Sequence, residues 1–188
     1  MDLMSKKNIL GIVGSPRKGG NTDILVDTIL SGAEDAGANT EKVVLSDLLI
    51  LPCKACDSCQ KTGKCVLNDD MNDLSKKLDQ YQIWVLGTPV YWWGPTAQMK
   101  AFVDRWYGFN YQGFSGKDII LAIPSGGGGR SYSQYVVDMF SDIIDYIGMN
   151  LIGTILAPGV GSRGAVRQHQ SILNEAKQIG RSAILNPL

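Results

Sequence analysis

Cys53, Cys56, Cys59 and Cys65 are all the cysteines in this chain of 188 residues, and they share one short segment with the spacing C-x2-C-x2-C-x5-C. In a reducing compartment such a cluster reads as metal-binding or redox chemistry before it reads as disulfides. Three cysteines at successive intervals of three let one loop wrap several corners of a cubane, as in the bacterial ferredoxin run. That run closes with x3-C-P, whereas here five residues precede Cys65 and Val66 follows it. Structural zinc more often takes two separated C-x2-C knuckles. The residues alone leave an iron–sulfur cluster, zinc, and bare thiols or a redox disulfide all open.

A second concentration of chemistry is Gly14-Ser15-Pro16-Arg17-Lys18-Gly19-Gly20-Asn21-Thr22. If it joins a buried strand to a helix start, free backbone N–H groups converge there on an anion, and the helix dipole adds roughly 0.3–2 kcal/mol. Ser15 and Thr22 offer hydroxyls, Asn21 an amide, and Arg17 or Lys18 a cation. The glycines, Gly20 among them, permit close backbone approach. Composition and position predict a phosphate site. No Gly-Lys-Ser/Thr follows, so a Walker loop with a nucleoside triphosphate and Mg²⁺ is not expected. Two further segments stand out. Pro89-Val90-Tyr91-Trp92-Trp93-Gly94 sets three aromatics in a row, which cannot all face inward, so at least one is expected to meet a ligand or another chain. Pro124-Ser125 leads into four glycines, Gly126 to Gly129, which allow a backbone nest for anionic or carbonyl oxygens and a mobile entrance.

These segments need elements to position them. Asn8 to Val13 reads as a buried strand, and apolar residues at helical spacing from Asn21 to about Ala36 predict a helix capped by Asn21 or Thr22 and ended by Gly37. A second strand is expected around Glu41 to Leu45. The stretch from about 46 to 70, with all four cysteines, has no convincing periodicity and reads as a functional excursion, because compact domains rarely keep idle loops beyond ~15 residues. A short helix follows through Met71, Leu74 and Leu78. Strands at 83–86, 119–123 and 151–157 alternate with helices at about 96–106, through Val136 to Ile147, and over most of 165–185. Five apolar strands alternating with five helices predict an α/β fold, a doubly wound five-stranded parallel sheet with helices on both faces. In such sheets the ligand sits outside the carboxyl ends of the strands, near the topological switch point. The whole of 1–188 is expected to form one domain, with the cysteine-rich excursion as its main departure.

Gly14 to Thr22 resembles the FMN-phosphate loop of the flavodoxin-like NADPH-dependent FMN reductases. Thr88-Pro89-Val90-Tyr91-Trp92-Trp93-Gly94, followed by Thr96-Ala97-Gln98-Met99-Lys100, resembles the same family's second flavin loop and following helix. The motif order is kept over most of the chain. The resemblance implies a flavodoxin-like fold, FMN as cofactor and NAD(P)H as transient donor. It places Ser15, Arg17, Gly20, Asn21 and Thr22 at the phosphate, Pro89, Val90, Tyr91, Trp92 and Gly94 at the ring, and Ser125, Gly126, Gly127 and Gly128 at its far edge. An isoalloxazine is a flat slab with polar edges, so aromatic surface and backbone donors at these positions suit it. The cysteine spacing is similar to the compact motif of the iron–sulfur flavoproteins, relatives on the same fold. That likeness implies that Cys53, Cys56, Cys59 and Cys65 ligate a [4Fe-4S] cluster beside FMN.

Composition narrows the field. Eighteen basic residues balance eighteen acidic ones, which argues against nucleic acid or a membrane surface as partner. No apolar stretch approaches the ~20 residues that span a bilayer, and a soluble, cytoplasmic protein is expected. Gly159-Val160-Gly161-Ser162-Arg163-Gly164 is a literal G-x-G-x-x-G, but no second strand bearing an acidic residue follows, so a Rossmann site is not expected. His169, the lone histidine, is placed on the final helix as structural or solvated. Tyr107, Phe109, Tyr111 and Phe114 predict either an oligomer interface, in a homodimer or homotetramer, or aromatics folded back onto the domain. No side chain is expected to be catalytic, since flavin hydride transfer requires none. The resulting expectation is an FMN-dependent oxidoreductase passing electrons from NAD(P)H or a reduced carrier to a small-molecule acceptor or redox carrier protein, directly or through a cluster. Its rivals are an iron–sulfur flavoprotein electron carrier without turnover and a zinc-binding regulatory protein.

Overall fold

Five strands, three of them runs of buried aliphatic residues, form a sheet in the computed structural model, which describes residues 7–109 and 111–185, with only the backbone at 111 and 112. They are β1 (Asn8–Val13), β2 (Asn39–Val44), β3 (Ile83–Gly87), β4 (Asp118–Pro124) and β5 (Asn150–Ala157). Every neighbouring pair is parallel, in the order β2-β1-β3-β4-β5, which is the flavodoxin-like order. Being central, β3 is buried at every residue, and so reads in sequence as a continuous apolar run.

Helices cover both faces. On one face α1 (Asn21–Asp35) and α6 (Gln170–Leu185) bury Leu25, Val26, Ile29, Ala33, Ala176 and Ala183 against Ile9, Val85 and Ile120. On the other, α3 (Met71–Leu78), α4 (Ala97–Asp104) and α5 (Ser131–Ile147) bury Met71, Leu74, Met99, Phe102, Val136 and Phe140 against Leu10, Trp84 and Leu121. The helices α1 and α6 touch backbone to backbone: a Cβ on Gly32 would lie 1.9 Å from the Lys177 carbonyl oxygen, and one on Gly180 1.9 Å from that of Ile29.

Several local expectations are corrected. The N-cap of α1 is Gly20 and carries no side-chain cap, so neither Asn21 nor Thr22 caps it. The expected 96–106 helix stops at Asp104 and tightens into a 3₁₀ turn, Arg105–Gly108. The cysteine excursion is not wholly irregular: α2 (Ser58–Thr62) makes one turn of helix between left-handed Asp57 and Gly63. His169 lies between a 3₁₀ turn (Ala165–Gln168) and α6 rather than on the helix. Of the four grouped aromatics, Phe114 is buried against Trp84 and Trp106, and Phe109 packs partly buried on the same core, so these two fold back. Tyr107 is half-exposed, and the Tyr111 side chain lies outside the described residues. No described helix is long and apolar enough to cross a membrane.

Candidate functional site

The carboxyl ends of four strands are stitched to one another by main-chain bonds. Gly14 N–H donates to Gly87 O at 2.7 Å, Thr88 N–H to Ala122 O at 3.0 Å, Val90 N–H to Pro124 O at 3.1 Å and Ser125 N–H to Ala157 O at 2.9 Å. Thr96 adds a side-chain link: its hydroxyl donates to Gly14 O at 2.5 Å and accepts from Met99 N–H at the start of α4. Four loops are thereby fixed around one cavity of about 210 Å³. Ser15, Arg17, Gly20, Asn21 and Thr22 line it after β1, Pro89, Val90 and Tyr91 after β3, Pro124, Ser125 and Gly126 after β4, and Val160, Gly161 and Arg163 after β5.

At the β1 end the cavity meets the start of α1. The first N–H groups of a helix lack intrahelical acceptors, and here no side chain caps them, so an anion would satisfy them. The Ser15 hydroxyl accepts from Arg17 N–H at 3.2 Å, which folds the loop back over that end. Asp23 would repel an anion if it stood alone. Lys42 donates to it at 2.7 Å and Gly19 N–H at 2.7 Å. Burial alone would raise the Asp23 pKa, but these partners outweigh it and hold the carboxyl below its ordinary value. Burial would likewise lower the Lys42 pKa, but Asp23 and Asp27 push it up. Lys42 thus draws the Asp23 charge away from the loop.

At the other end a second hollow of about 180 Å³ shares Val90, Ser125 and Gly126 with the first and adds Trp92, Trp93, Gly127 and Tyr132. Tyr91 and Gly94 exchange two backbone bonds, of 2.8 and 3.0 Å, across a two-residue turn. Both central residues, Trp92 at φ 50° and Trp93 at φ 61°, are left-handed, as a type I′ turn requires. Bulky residues avoid that region at a cost of roughly 1–2 kcal/mol each. The strain sets Trp93 parallel to Tyr132, centroids 6.3 Å apart and planes 15° apart, and leaves Trp92 93% exposed. The glycine run is tethered at its base, where Val160 N–H donates to Ser125 O and Gly159 N–H to Gly127 O, both at 2.9 Å.

Of the sequence-predicted ring and phosphate residues, twelve line one or other hollow. Gly94 and Gly128 do not, and Gly94 instead closes the aromatic turn. Asn21 is at the cavity, but its side chain is committed: its amide donates to Val160 O and Ser162 O and accepts from Val166 N–H. Lys18 turns away to pair with Asp47 at 2.9 Å, which leaves Arg17 as the cation of that loop at the cavity. The segment Gly159 to Gly164, dismissed as a dinucleotide motif, nevertheless supplies wall. Arg163 was missed in sequence; it faces Arg17's cavity and donates to the Lys18 carbonyl. Only its position in the loop after a strand could have signalled it.

The cysteines form a separate place. All four line one concavity of about 20 Å³ together with Lys54, Asp57, Arg105 and Gly108. All are free thiols, Cys53 and Cys56 exposed and Cys59 and Cys65 partly buried, and among the described residues no three His, Cys, Asp or Glu side chains converge as a ligand set. Left-handed Ala55 and Asp57 bend the loop on either side of Cys56. Ala55 N–H donates to the Cys53 sulfur at 3.4 Å, and the Ser58 backbone and hydroxyl hold the Cys56 thiol pKa below its ordinary value. A side chain at Gly108 would begin 3.5 Å from Cys65 Cβ and 3.9 Å from Cys59 Cβ, so glycine keeps the concavity open.

Comparison with known proteins bears on both places. A family model described as NADPH-dependent FMN reductase matches residues 7–161. An iron-sulfur flavoprotein of Methanocaldococcus jannaschii is 34% identical over 136 residues, 70% of either chain. One of Methanosarcina thermophila is 34% identical over 146 residues, 77% of this chain and 76% of the relative. In structure the chain is similar to an NAD(P)H:quinone oxidoreductase from Methanothermobacter marburgensis, with a TM-score of 0.73 at 13% identity, covering 95% of this chain and 97% of that one. That identity speaks for the fold alone. The family match, spanning β1 to residue 161, takes in every residue that lines the cavity except Arg163, and the chain belongs to the NADPH-dependent FMN reductase family of flavodoxin-like oxidoreductases.

Proposed function

We propose that this chain binds FMN across the two joined hollows and passes electrons from NAD(P)H to an acceptor, with a [4Fe-4S] cluster on its four cysteines as a relay. The observation that carries the reading is the polarity of the joined cleft: an uncapped helix N-terminus with Arg17 and Arg163 at one end, flat aromatic walls and a glycine nest at the other. That is the polarity of a phosphate ester on a tricyclic ring. The nest needs its glycine at one point at least, since a Cβ on Gly127 would strike the Tyr132 ring at 2.5 Å. FMN, when bound, supplies hydride acceptance and electron release in single or paired steps.

The residues of the chain bind and orient. The N–H groups at the start of α1, that of Asn21 among them, with Ser15, Arg17, Gly20 and Thr22, hold the phosphate, while the Asn21 side chain ties this loop to the one after β5. Pro89, Val90, Tyr91 and Trp92 border the ring, Gly94 shapes their turn, and beside Ser125 the N–H groups of Gly126 and Gly127 face its far edge, with Gly128 completing the loop. Cys53, Cys56, Cys59 and Cys65 would hold the cluster. The fit is supported by four thiols on one concavity kept open by Gly108, and by two relatives that carry the name iron-sulfur flavoprotein. A small-molecule acceptor or a redox carrier protein takes the electrons. Self-association is expected along the apolar groove of Val103, Trp106, Ile143 and Ile147, beside the exposed Tyr146.

Anaerobic purification with FMN, followed by absorption spectroscopy, iron and sulfide analysis and an NADPH oxidation assay, tests the proposal. One flavin, about four irons and about four sulfides per chain are expected, together with flavin-dependent NADPH oxidation. A colourless protein would refute it. A yellow-brown protein that bleaches with dithionite but ignores NADPH would favour the carrier reading, and zinc without flavin the regulatory one.

A further inference from the structure

The cysteine concavity has a floor that neither the family nor the cysteine spacing explains. Arg105 and Asp69 form an ion pair whose side chains are 1% and 0% exposed. Arg105 Nη1 donates to Asp69 Oδ2 at 2.5 Å and to Leu51 O at 3.0 Å, and Nη2 donates to Asp69 Oδ1 at 3.1 Å. Asp69 also accepts from Leu51 N–H at 2.9 Å, and its neighbour Asp70 accepts from Leu49 N–H at 2.7 Å. One guanidinium therefore grips the chain just before Cys53 and just after Cys65, tying both roots of the loop together.

The donor on Nε is unspent. Arg105 Nε is buried and has no acceptor among the described residues. Buried donors are almost always satisfied, and one attached to a cation is expensive to leave idle. Trp106 Nε1 is also buried without a partner among the described residues, but it lies among the rings of Trp84, Phe102 and Phe114. Arg105, by contrast, is part of the wall the four cysteines share, and Cys65 lies close enough to favour its charged form, after burial and Asp69 have acted.

We propose that Arg105 is a positioning residue for the cluster, its idle Nε–H turning to the Cys65 sulfur when the cluster binds and its buried positive charge standing against an anionic group. The inference rests on the cluster reading above. A hydrogen bond to sulfur and a nearby cation both favour the more negative, reduced form, so the reduction potential is raised. Asp69 holds the guanidinium in orientation from the opposite edge.

The test uses the full chain, reconstituted anaerobically with ferrous iron and sulfide, and reads the cluster's midpoint potential by EPR-monitored titration. Arg105→Lys keeps a charge but loses the planar fork. The pair Arg105→Met with Asp69→Leu removes both charges and leaves neither stranded. Each is expected to lower the midpoint by about tenfold in the reduction equilibrium, ~59 mV for a one-electron couple. Wild type labelled with ¹⁵N-arginine should show one coupled nitrogen in pulsed EPR of the reduced cluster, a readout that needs no variant to fold. Unchanged potentials in the cluster-bearing variants, or no ¹⁵N coupling, would overturn the inference while leaving the cluster standing. Failure of the wild type to take up iron and sulfide would overturn both.

Discussion

Trp92 and Trp93 occupy backbone conformations that bulky residues avoid, and the strain is concentrated where a flat ligand would lie. Trp92 is almost wholly exposed, so little packing holds it there. Asn tolerates the left-handed region well. Trp92→Asn is therefore expected to raise stability by about 1 kcal/mol, while FMN binding weakens several-fold through lost aromatic surface. Thermal melts and FMN titrations of the variant check both directions. Two buried carboxylates make stability depend on pH. Burial would raise the Asp69 pKa, but the Arg105 and Leu51 N–H hydrogen bonds overcome it, and Asp23 is depressed in the same way by Lys42 and Gly19. The unfolded chain binds their protons more readily, so their contribution is present above about pH 4 and is lost as pH falls through the depressed folded values. Lys42, raised, keeps its contribution until pH passes ~10.5. Urea midpoints should fall steeply below about pH 4, and Asp69→Ala, which strands the buried guanidinium, should cost about 3–5 kcal/mol at neutral pH. Hydroxyls, glycines and Arg17 could be named from the sequence because each adjoins a strand end. The roles of Asn21, Arg163 and Asp69 could not, because their partners lie 139, 145 and 36 residues away.

Among the elements, the strands were legible because a parallel sheet covered on both faces demands unbroken apolar runs, and β3 and β4 meet that demand almost without exception. The helices were legible by period. Their ends were less so: Gly20 caps α1 with no side chain, and α4 tightens into a 3₁₀ turn that brings Arg105 under the cysteines. The five-residue α2 is too short for periodicity to show. Contact between α1 and α6 rests on paired glycines that no periodicity reveals. Gly32→Ala gains up to ~1 kcal/mol in helix propensity. Its Cβ would meet backbone at 1.9 Å, so overpacking of about 1–3 kcal/mol should prevail and Tm should fall. A stability gain would show that the two helices can part freely.

For the whole molecule, the order β2-β1-β3-β4-β5 brings the ends of β1 and β3 side by side, and the cleft opens where the strand order reverses. Four loops far apart in sequence become one surface because the strand ends are hydrogen-bonded into a common edge. The most direct measurement compares FMN with riboflavin, titrated separately into the flavin-free chain and followed by quenching of flavin fluorescence. The two ligands share the ring and differ only in the phosphate that the α1 end is built to hold. Charge-assisted hydrogen bonds to that group, at about 1.5–3 kcal/mol, predict FMN to bind at least about tenfold tighter, with equimolar saturation and a preference that shrinks in Arg17→Ala. Equal affinities for the two flavins, or no quenching by either, would contradict a phosphate grip at the start of α1.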